Sequence, residues 1–291
     1  MRVNKRDPYT GHATTGHEWN DITELNTRVP RPVWLFLIGT VLFSIVYWIL
    51  MPAWPLGKTY TKGLLGADVR REVAEGLRDA ALQRSAWTTR LEKEDFGAIL
   101  ADSSLMKNVR ETGHALFGNN CAVCHGINAT GGPGFPNLVD DAWLWGGTPD
   151  AVFKTIRVGV NSDHPDSRTS QMPAFGRDKI LDRQAILNVV TYVRSLSSPV
   201  SGPEAQNAAA GREVFAANCS ACHGADAKGS KDVGAPNLTD NFWLYGGDEE
   251  SIYRTVWGGR QGRMPSWEKR LTETDRKILT LYLLDRKREA P

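Results

Sequence analysis

The sequence predicts a mainly α protein: a single N-terminal transmembrane helix followed by two small domains of one kind. Three observations carry this. Residues 33–50, "VWLFLIGTVLFSIVYWIL", run for eighteen positions without a charge. Apolar positions between Val69 and Gln83 recur at helical spacing, broken by polar runs. The remainder of the chain then repeats itself. "GHALFGNNCAVCHG" from Gly113 aligns with "GREVFAANCSACHG" from Gly211, and "GFPNLVDDAWLWGG" from Gly134 with "GAPNLTDNFWLYGG" from Gly234. "VFKTIRVGV" aligns with "IYRTVWGGR", and "QMPAF" at 171–175 with "RMPSW" at 263–267.

The elements follow in order. Residues 1–31 form an N-terminal segment in which Trp19, Ile22 and Leu25 stand at helical spacing and suggest a docking face, with Glu18 and Glu24 beside them. Residues 32–54 hold the span: roughly 20 apolar residues cross the hydrocarbon core. Trp34 at one end and Tyr47, Trp48 and Trp54 at the other suit the two interfaces. A signal peptide would start nearer the N-terminus and end in a small-residue cleavage site, which "MPAWP" is not. With no ionisable residue inside it, the helix anchors and conducts nothing; Gly39, Thr40 and Ser44 are its small positions, where another helix could approach. Arg2, Lys5, Arg6, Arg28 and Arg31 precede the span and Lys58, Lys62 and Arg70 follow it, so the positive-inside bias is weak. Residues 55–108 read as a helical connector, 109–197 as the first repeated domain, 198–210 as a Ser-, Pro- and Ala-rich linker, and 211–291 as the second domain. The net charge of +2 is small and scattered, which argues against a nucleic-acid partner.

All four cysteines fall in one pattern used twice, Cys121-x-x-Cys124-His125 and Cys219-x-x-Cys222-His223. A thioredoxin-like pair does not explain the histidine after each pair. A single four-cysteine zinc site must bridge ninety-four intervening residues, far beyond ribbon spacing, although each pair sits in its own complete repeat. Cys-x-x-Cys-His is the attachment pattern of haem c. Two cysteines three apart share one helix face and each bind a haem vinyl group, and the adjacent His turns its imidazole to the iron. Two covalent haem c groups are therefore expected. Met172 and Met264, each followed by Pro, align between the repeats 47 and 41 residues beyond His125 and His223. His/Met ligation is an electron-transfer arrangement, so His125, Met172, His223 and Met264 are the expected axial ligands. The spacing leaves open whether each Met serves its own repeat or the other one. His164 is a minor rival for the first haem, in a stretch the second repeat lacks; His114 reads as a surface residue, and Met106 has no counterpart of this kind. Trp143 and Trp243 read equally as covers for a haem edge and as ordinary core.

The domains resemble class I cytochrome c domains: Gly113 and Phe117 (Gly211 and Phe215) on a first helix, the haem motif at its end, a Met-Pro loop, and a closing helix carrying Tyr192 or Tyr282. In that class a proline carbonyl fixes the ligating His, which the resemblance assigns to Pro136 and Pro236. The motifs "DxxWLxGG", "MPxW" and "TGHEWNDITELNTRVPRP" at 15–32 make the layout similar to the dihaem subunit (subunit III) of cbb3-type cytochrome c oxidase. The resemblance covers residue 7 to the end. It implies a single-pass subunit of the bacterial inner membrane, N-terminus cytoplasmic and haem domains periplasmic. It also implies a role between a cytochrome c donor, fed by a quinol:cytochrome c oxidoreductase, and the monohaem and haem–copper catalytic subunits. No catalytic centre of its own is expected: there is no evident copper site. The alternative is an anchored dihaem shuttle of the cytochrome c4 type, for which a specific "GHEWNDITELN" segment has no use.

Overall fold

The computed structural model describes residues 5–289, so Arg2 and the last two residues lie outside them. The chain forms two compact units, divided between Gln83 and Arg84. In the first, β1 (Thr14–Trp19) and β2 (Ile22–Leu25) make an antiparallel hairpin. Its two-residue turn, Asn20-Asp21, has φ of 50° and 66°. Asn and Asp tolerate this left-handed geometry, which matches the twist of the flanking strands. The hairpin corrects the helical reading of Trp19, Ile22 and Leu25: Trp19 and Ile22 are cross-strand partners. Turn chemistry and β-branched residues outweigh a three-residue apolar spacing.

α1 (Arg31–Leu50) begins with Pro at its first turn and carries no charged residue after Arg31. It is long and apolar enough to cross a membrane. Thr40 and Ser44 donate their hydroxyls to Leu37 O at 2.9 Å and Thr40 O at 2.8 Å, so neither leaves a polar group for lipid to meet. Past Met51 the chain folds back, and the Leu64 and Leu65 N–H groups donate to Ile49 O and Leu50 O, each at 3.0 Å. α2 (Val69–Lys93) starts in this unit and runs into the second.

The second unit adds α3 (Phe96–Ala101), α4 (Ser103–Asn120), α5 (Ala122–His125), α6 (Pro149–Val158), α7 (Arg183–Ser195), α8 (Pro203–Asn218), α9 (Ser220–His223), α10 (Glu249–Gly258) and α11 (Glu273–Glu289). Side-chain caps set the starts: Asp95 accepts from Ala98 N, Asp102 from Ser104 N and Leu105 N, and Asp182 from Ala185 N. Thr148 and Asp248 cap α6 and α10 at the same place in the two repeats. Leu91, Ile99, Leu105 and Met106 are buried in the first core, so that core draws on residues well before position 109. Pro203 opens α8 inside the stretch that reads as linker, which shortens the connection from α7 to residues 196–202.

Packing does not follow the repeats. α7 lies along α8, and α10 packs on α7. α11, the last helix of the second repeat, packs instead on α4 and α6 of the first. The glycines confirm the pairing. A Cβ on Gly113 would come within 2.7 Å of Tyr282, and one on Gly211 within 2.8 Å of Tyr192. Each first helix thus takes the closing helix of the other repeat. Two cores result: Phe117, Val152, Ile156, Trp267, Leu279 and Tyr282 share one, and Phe175, Ile186, Val190, Phe215, Ile252 and Val256 share the other.

Candidate haem-binding sites

α4 and α8 each end at a cysteine, and the next short helix carries the second cysteine and the His. Cys121 and Cys219 are half-buried against the first and second cores, and Cys124 and Cys222 are exposed. The two cysteine pairs therefore belong to different cores. Burial, with the partner cysteine adding to it, pushes the Cys121 and Cys219 thiols up to about 11. As free thiols they would stay neutral and unreactive at neutral pH.

His125 Nδ1 donates to Pro136 O at 3.0 Å, and His223 Nδ1 to Pro236 O at 3.1 Å. A carbonyl can only accept, so Nδ1 carries the proton and Nε2 keeps its lone pair. Burial lowers both histidine pKa values, against the pull of the proline carbonyls, and favours neutral imidazole. Each His is thus fixed in the tautomer that can bind iron.

The methionines are exchanged. Met264 pairs with Val160 of the first repeat through two backbone bonds of 2.9 Å, and Met172 pairs with Arg260 of the second through bonds of 2.8 and 3.1 Å. Gly159 and Gly259 allow this approach: with φ of +73° and +68°, a Cβ on either would overlap the other repeat's Met-Pro backbone. Met264 packs in the core that holds Cys121, and Met172 in the core that holds Cys219. His164 does not join either site. The Asp166 N–H donates to its Nδ1 at 2.9 Å, and its Nε2 donates to Glu268 Oε2 at 2.8 Å. His114 is exposed, with Nδ1 3.4 Å from the Tyr282 hydroxyl, and Met106 is core.

The "DxxWLxGG" motif has a local explanation. Asp140 and Asp240 each accept a backbone N–H two residues on, from Ala142 at 2.9 Å and Phe242 at 3.0 Å, which closes the turn before the Trp. Gly147 and Gly247 leave room for Trp143 and Trp243, since a Cβ would lie 2.8 and 2.6 Å from the indoles. Trp143 packs on the first core and Trp243 on the second. The indole N–H of Trp143 is buried with no partner among the described residues. A cavity of about 670 Å³ opens between the two repeats, walled by Pro136, Trp143, Pro236 and Trp243 among others. A free imidazole nitrogen, an exposed thiol beside each half-buried one, and a buried donor without a protein partner fit a haem c with its carboxylate side chains.

Sequence reasoning missed a further set. Arg168 lies over the Trp145 ring at 5.0 Å and Arg260 over Tyr245 at 4.2 Å, and each guanidinium donates to the threonine at the same position, Thr155 or Thr255. The aligned threonines were the available signal. The longer loop before Met172 hid the equivalence of the two arginines.

Comparison with known proteins gives a consistent result. Residues 11–58 match the model described as the N-terminal domain of cytochrome oxidase-cbb3, FixP. Residues 111–197 match cytochrome c, and 206–283 match cytochrome c oxidase, cbb3-type, subunit III. The cbb3-type cytochrome c oxidase subunit FixP of Bradyrhizobium sp. (strain ORS 278) is 45% identical over 95% of both chains. The subunit CcoP of Cereibacter sphaeroides is 43% identical over 93% of both. The chain belongs to the FixP/CcoP family of cbb3-type cytochrome c oxidase subunits. As a cbb3 oxidase subunit it has an electron-transfer role, its two cytochrome c domains imply haem c, and it associates with other oxidase subunits. The apolar α1 suits an inner-membrane anchor.

Proposed function

We propose that this oxidase subunit binds two haem c groups with exchanged axial methionines. Cys121 and Cys124 hold the first, with His125 and Met264 as iron ligands. Cys219 and Cys222 hold the second, with His223 and Met172. The observation that carries this is the pairing of each Met-Pro strand with the other repeat, Met264 on Val160 and Met172 on Arg260. Bound there, haem c supplies reversible one-electron chemistry. The residues do the rest: Pro136 and Pro236 hold the imidazoles, and the Met264 and Met172 thioethers would be the further donors to the two groups, a ligand type that favours reduced iron. With a His and a Met committed to each haem, the sites would exchange electrons and leave no position for a substrate, a reading in which the chain carries no catalytic centre of its own. It receives electrons from a cytochrome c, supplied by a quinol:cytochrome c oxidoreductase, and serves the monohaem and haem–copper subunits. The N-terminus faces the cytoplasm and the haem domains the periplasm, where haem c is attached.

The test has two parts. A denaturing gel stained for haem and an intact mass should give two covalent haems per chain. Methionine-methyl NMR of the reduced protein should give two strongly upfield signals. Met264→Leu should remove the one with cross-peaks to the Cys121 and Cys124 thioethers, and Met172→Leu the other. The opposite assignment would overturn the exchange but leave the dihaem reading intact; zinc in place of haem would end both.

A further inference from the structure

Each proximal histidine depends on a loop that the opposite repeat supports. His125 donates to Pro136, in the loop 131–136, which closes on itself through the Gly132–Phe135 backbone pair at 3.0 and 2.8 Å. The Gly134 N–H of that loop donates outside its own repeat, to Leu244 O at 2.9 Å. The next residue, Tyr245, sets its ring edge against Gly134, 3.5 Å from where a Cβ would stand. On the other side, His223 donates to Pro236 in the loop 229–236, closed by the Ser230–Ala235 pair at 3.0 and 2.9 Å. There Gly234 lies so close under Trp145 that a Cβ would overlap the indole. Each ring also carries a guanidinium. Arg168 covers Trp145 and is tied to Thr155 Oγ1 at 2.9 Å and Ala151 O at 3.1 Å. Arg260 covers Tyr245 and makes two bonds to Thr255 Oγ1, at 3.0 and 2.9 Å. Neither arginine has a carboxylate partner among the described residues, so their side chains are committed to these stacks.

We infer that Trp145 and Tyr245 are positioning residues for the haem of the opposite repeat: Trp145 fixes the loop that orients His223, and Tyr245 the loop that orients His125. The inference rests on the proximal roles of the two histidines but not on which methionine faces which haem. A proximal His that loses its Nδ1 acceptor changes its electron donation to iron, and with it the reduction potential. Trp145 therefore belongs to the first repeat by sequence and to the second haem by effect. The two supports are unequal. The His125 loop keeps its Gly134–Leu244 backbone bond when the Tyr245 ring is removed, whereas no such bond joins Gly234 to the first repeat among the described residues. Trp145 should thus matter more than Tyr245.

The experiment uses the full holoprotein in detergent, with hydrogen exchange followed by mass spectrometry and a spectroelectrochemical titration. Trp145→Ala should speed exchange in peptides covering 224–238 by about threefold to tenfold, the scale of a lost aromatic contact. It should leave 126–138 unchanged. Tyr245→Ala should do the reverse, more weakly. Each variant should move one of the two midpoint potentials, a different one in each, while Trp145→Phe and Tyr245→Phe move neither. If Trp145→Ala does not fold, Arg168→Gln loosens the same ring and should act on the same peptides. Faster exchange in the loop of the variant's own repeat, equal change in both loops, no change in either, or two potentials moving together would overturn the inference. The exchange readout needs no haem assignment, so it fails independently of the ligand exchange proposed for the methionines.

Discussion

Gly159 and Gly259 decide how near two strands from different repeats can come. Each has positive φ, and each lies where a Cβ would meet the Met-Pro backbone opposite. Gly159→Ala is therefore expected to push Met264 away while both haems remain covalently attached. Holding a side chain in the left-handed region costs about 1–3 kcal/mol, before the overlap is counted. The optical sign is loss of about half of the methionine–iron charge-transfer absorption, and an unaltered band would refute the account. Gly113 acts at a different contact, 2.7 Å from Tyr282. Gly113→Ala overpacks the α4–α11 crossing and should lower stability by about 1–3 kcal/mol, read from the denaturant midpoint.

At the scale of elements, the loop before Met172 latches onto the segment on both sides of Met264. His164 donates to Glu268, Arg157 lies 3.9 Å from the same carboxylate, and Arg263 pairs with Asp163 at 2.7 Å. The His164 hydrogen bond above all, with Arg157 and Arg276 nearby, holds the Glu268 carboxyl below its usual 4.5. A carboxyl with a depressed folded pKa adds stability above its unfolded pKa, and that part is lost as pH falls toward the folded value. Glu268→Gln should then be less stable than the parent at pH about 7, with the difference narrower at a pH well below 4.5. Chemical denaturation at the two pH values checks this; a gap that widens on acidification would rule it out. The N-terminal hairpin teaches a separate lesson. Trp19, Ile22 and Leu25 have a spacing that a helix and a turn-broken sheet both permit, and Asn20-Asp21 decided for the sheet.

At the scale of the whole molecule, neither repeat contains a complete core. Residues 84–200 supply Cys121, His125 and α4, but they lack Met264, Trp267 and α11. Expressed alone with the haem-attachment machinery, that half should yield no stable His/Met haem. Addition of the second half in trans should restore it in part, and a stable low-spin His/Met cytochrome from residues 84–200 alone would contradict the exchange. The anchor is a separate question. Lipid gives a helix no preferred neighbour, so close packing must select one. Replacing residues 13–50 with an unrelated single span should leave both haems attached and reducible. Oxygen uptake by membranes with cytochrome c as donor should still collapse, together with co-purification of the haem–copper subunit. Normal uptake would mean that the haem domains dock unaided.

The parts are legible in the amino-acid sequence alone. Cys-x-x-Cys-His fixes chemistry through spacing on one short helix, and "PNL" and "DxxWLxGG" recur because each is a local solution: an Asn side chain that accepts the backbone N–H two residues on, and a glycine beneath an indole. The apolar run of α1 likewise needs no partner to be legible. Which copy completes which is set by how the helices of the two repeats pack. Tyr192 and Tyr282 fit Gly113 and Gly211 equally well as residue types, and Met172 and Met264 are equivalent in the same way, so a repeat cannot specify its own closure. The short connection through residues 196–202 lets α8 fold directly back on α7. Once α7 covers α8, the remaining closing helix, α11, is left for α4, and the methionine strands follow their helices across.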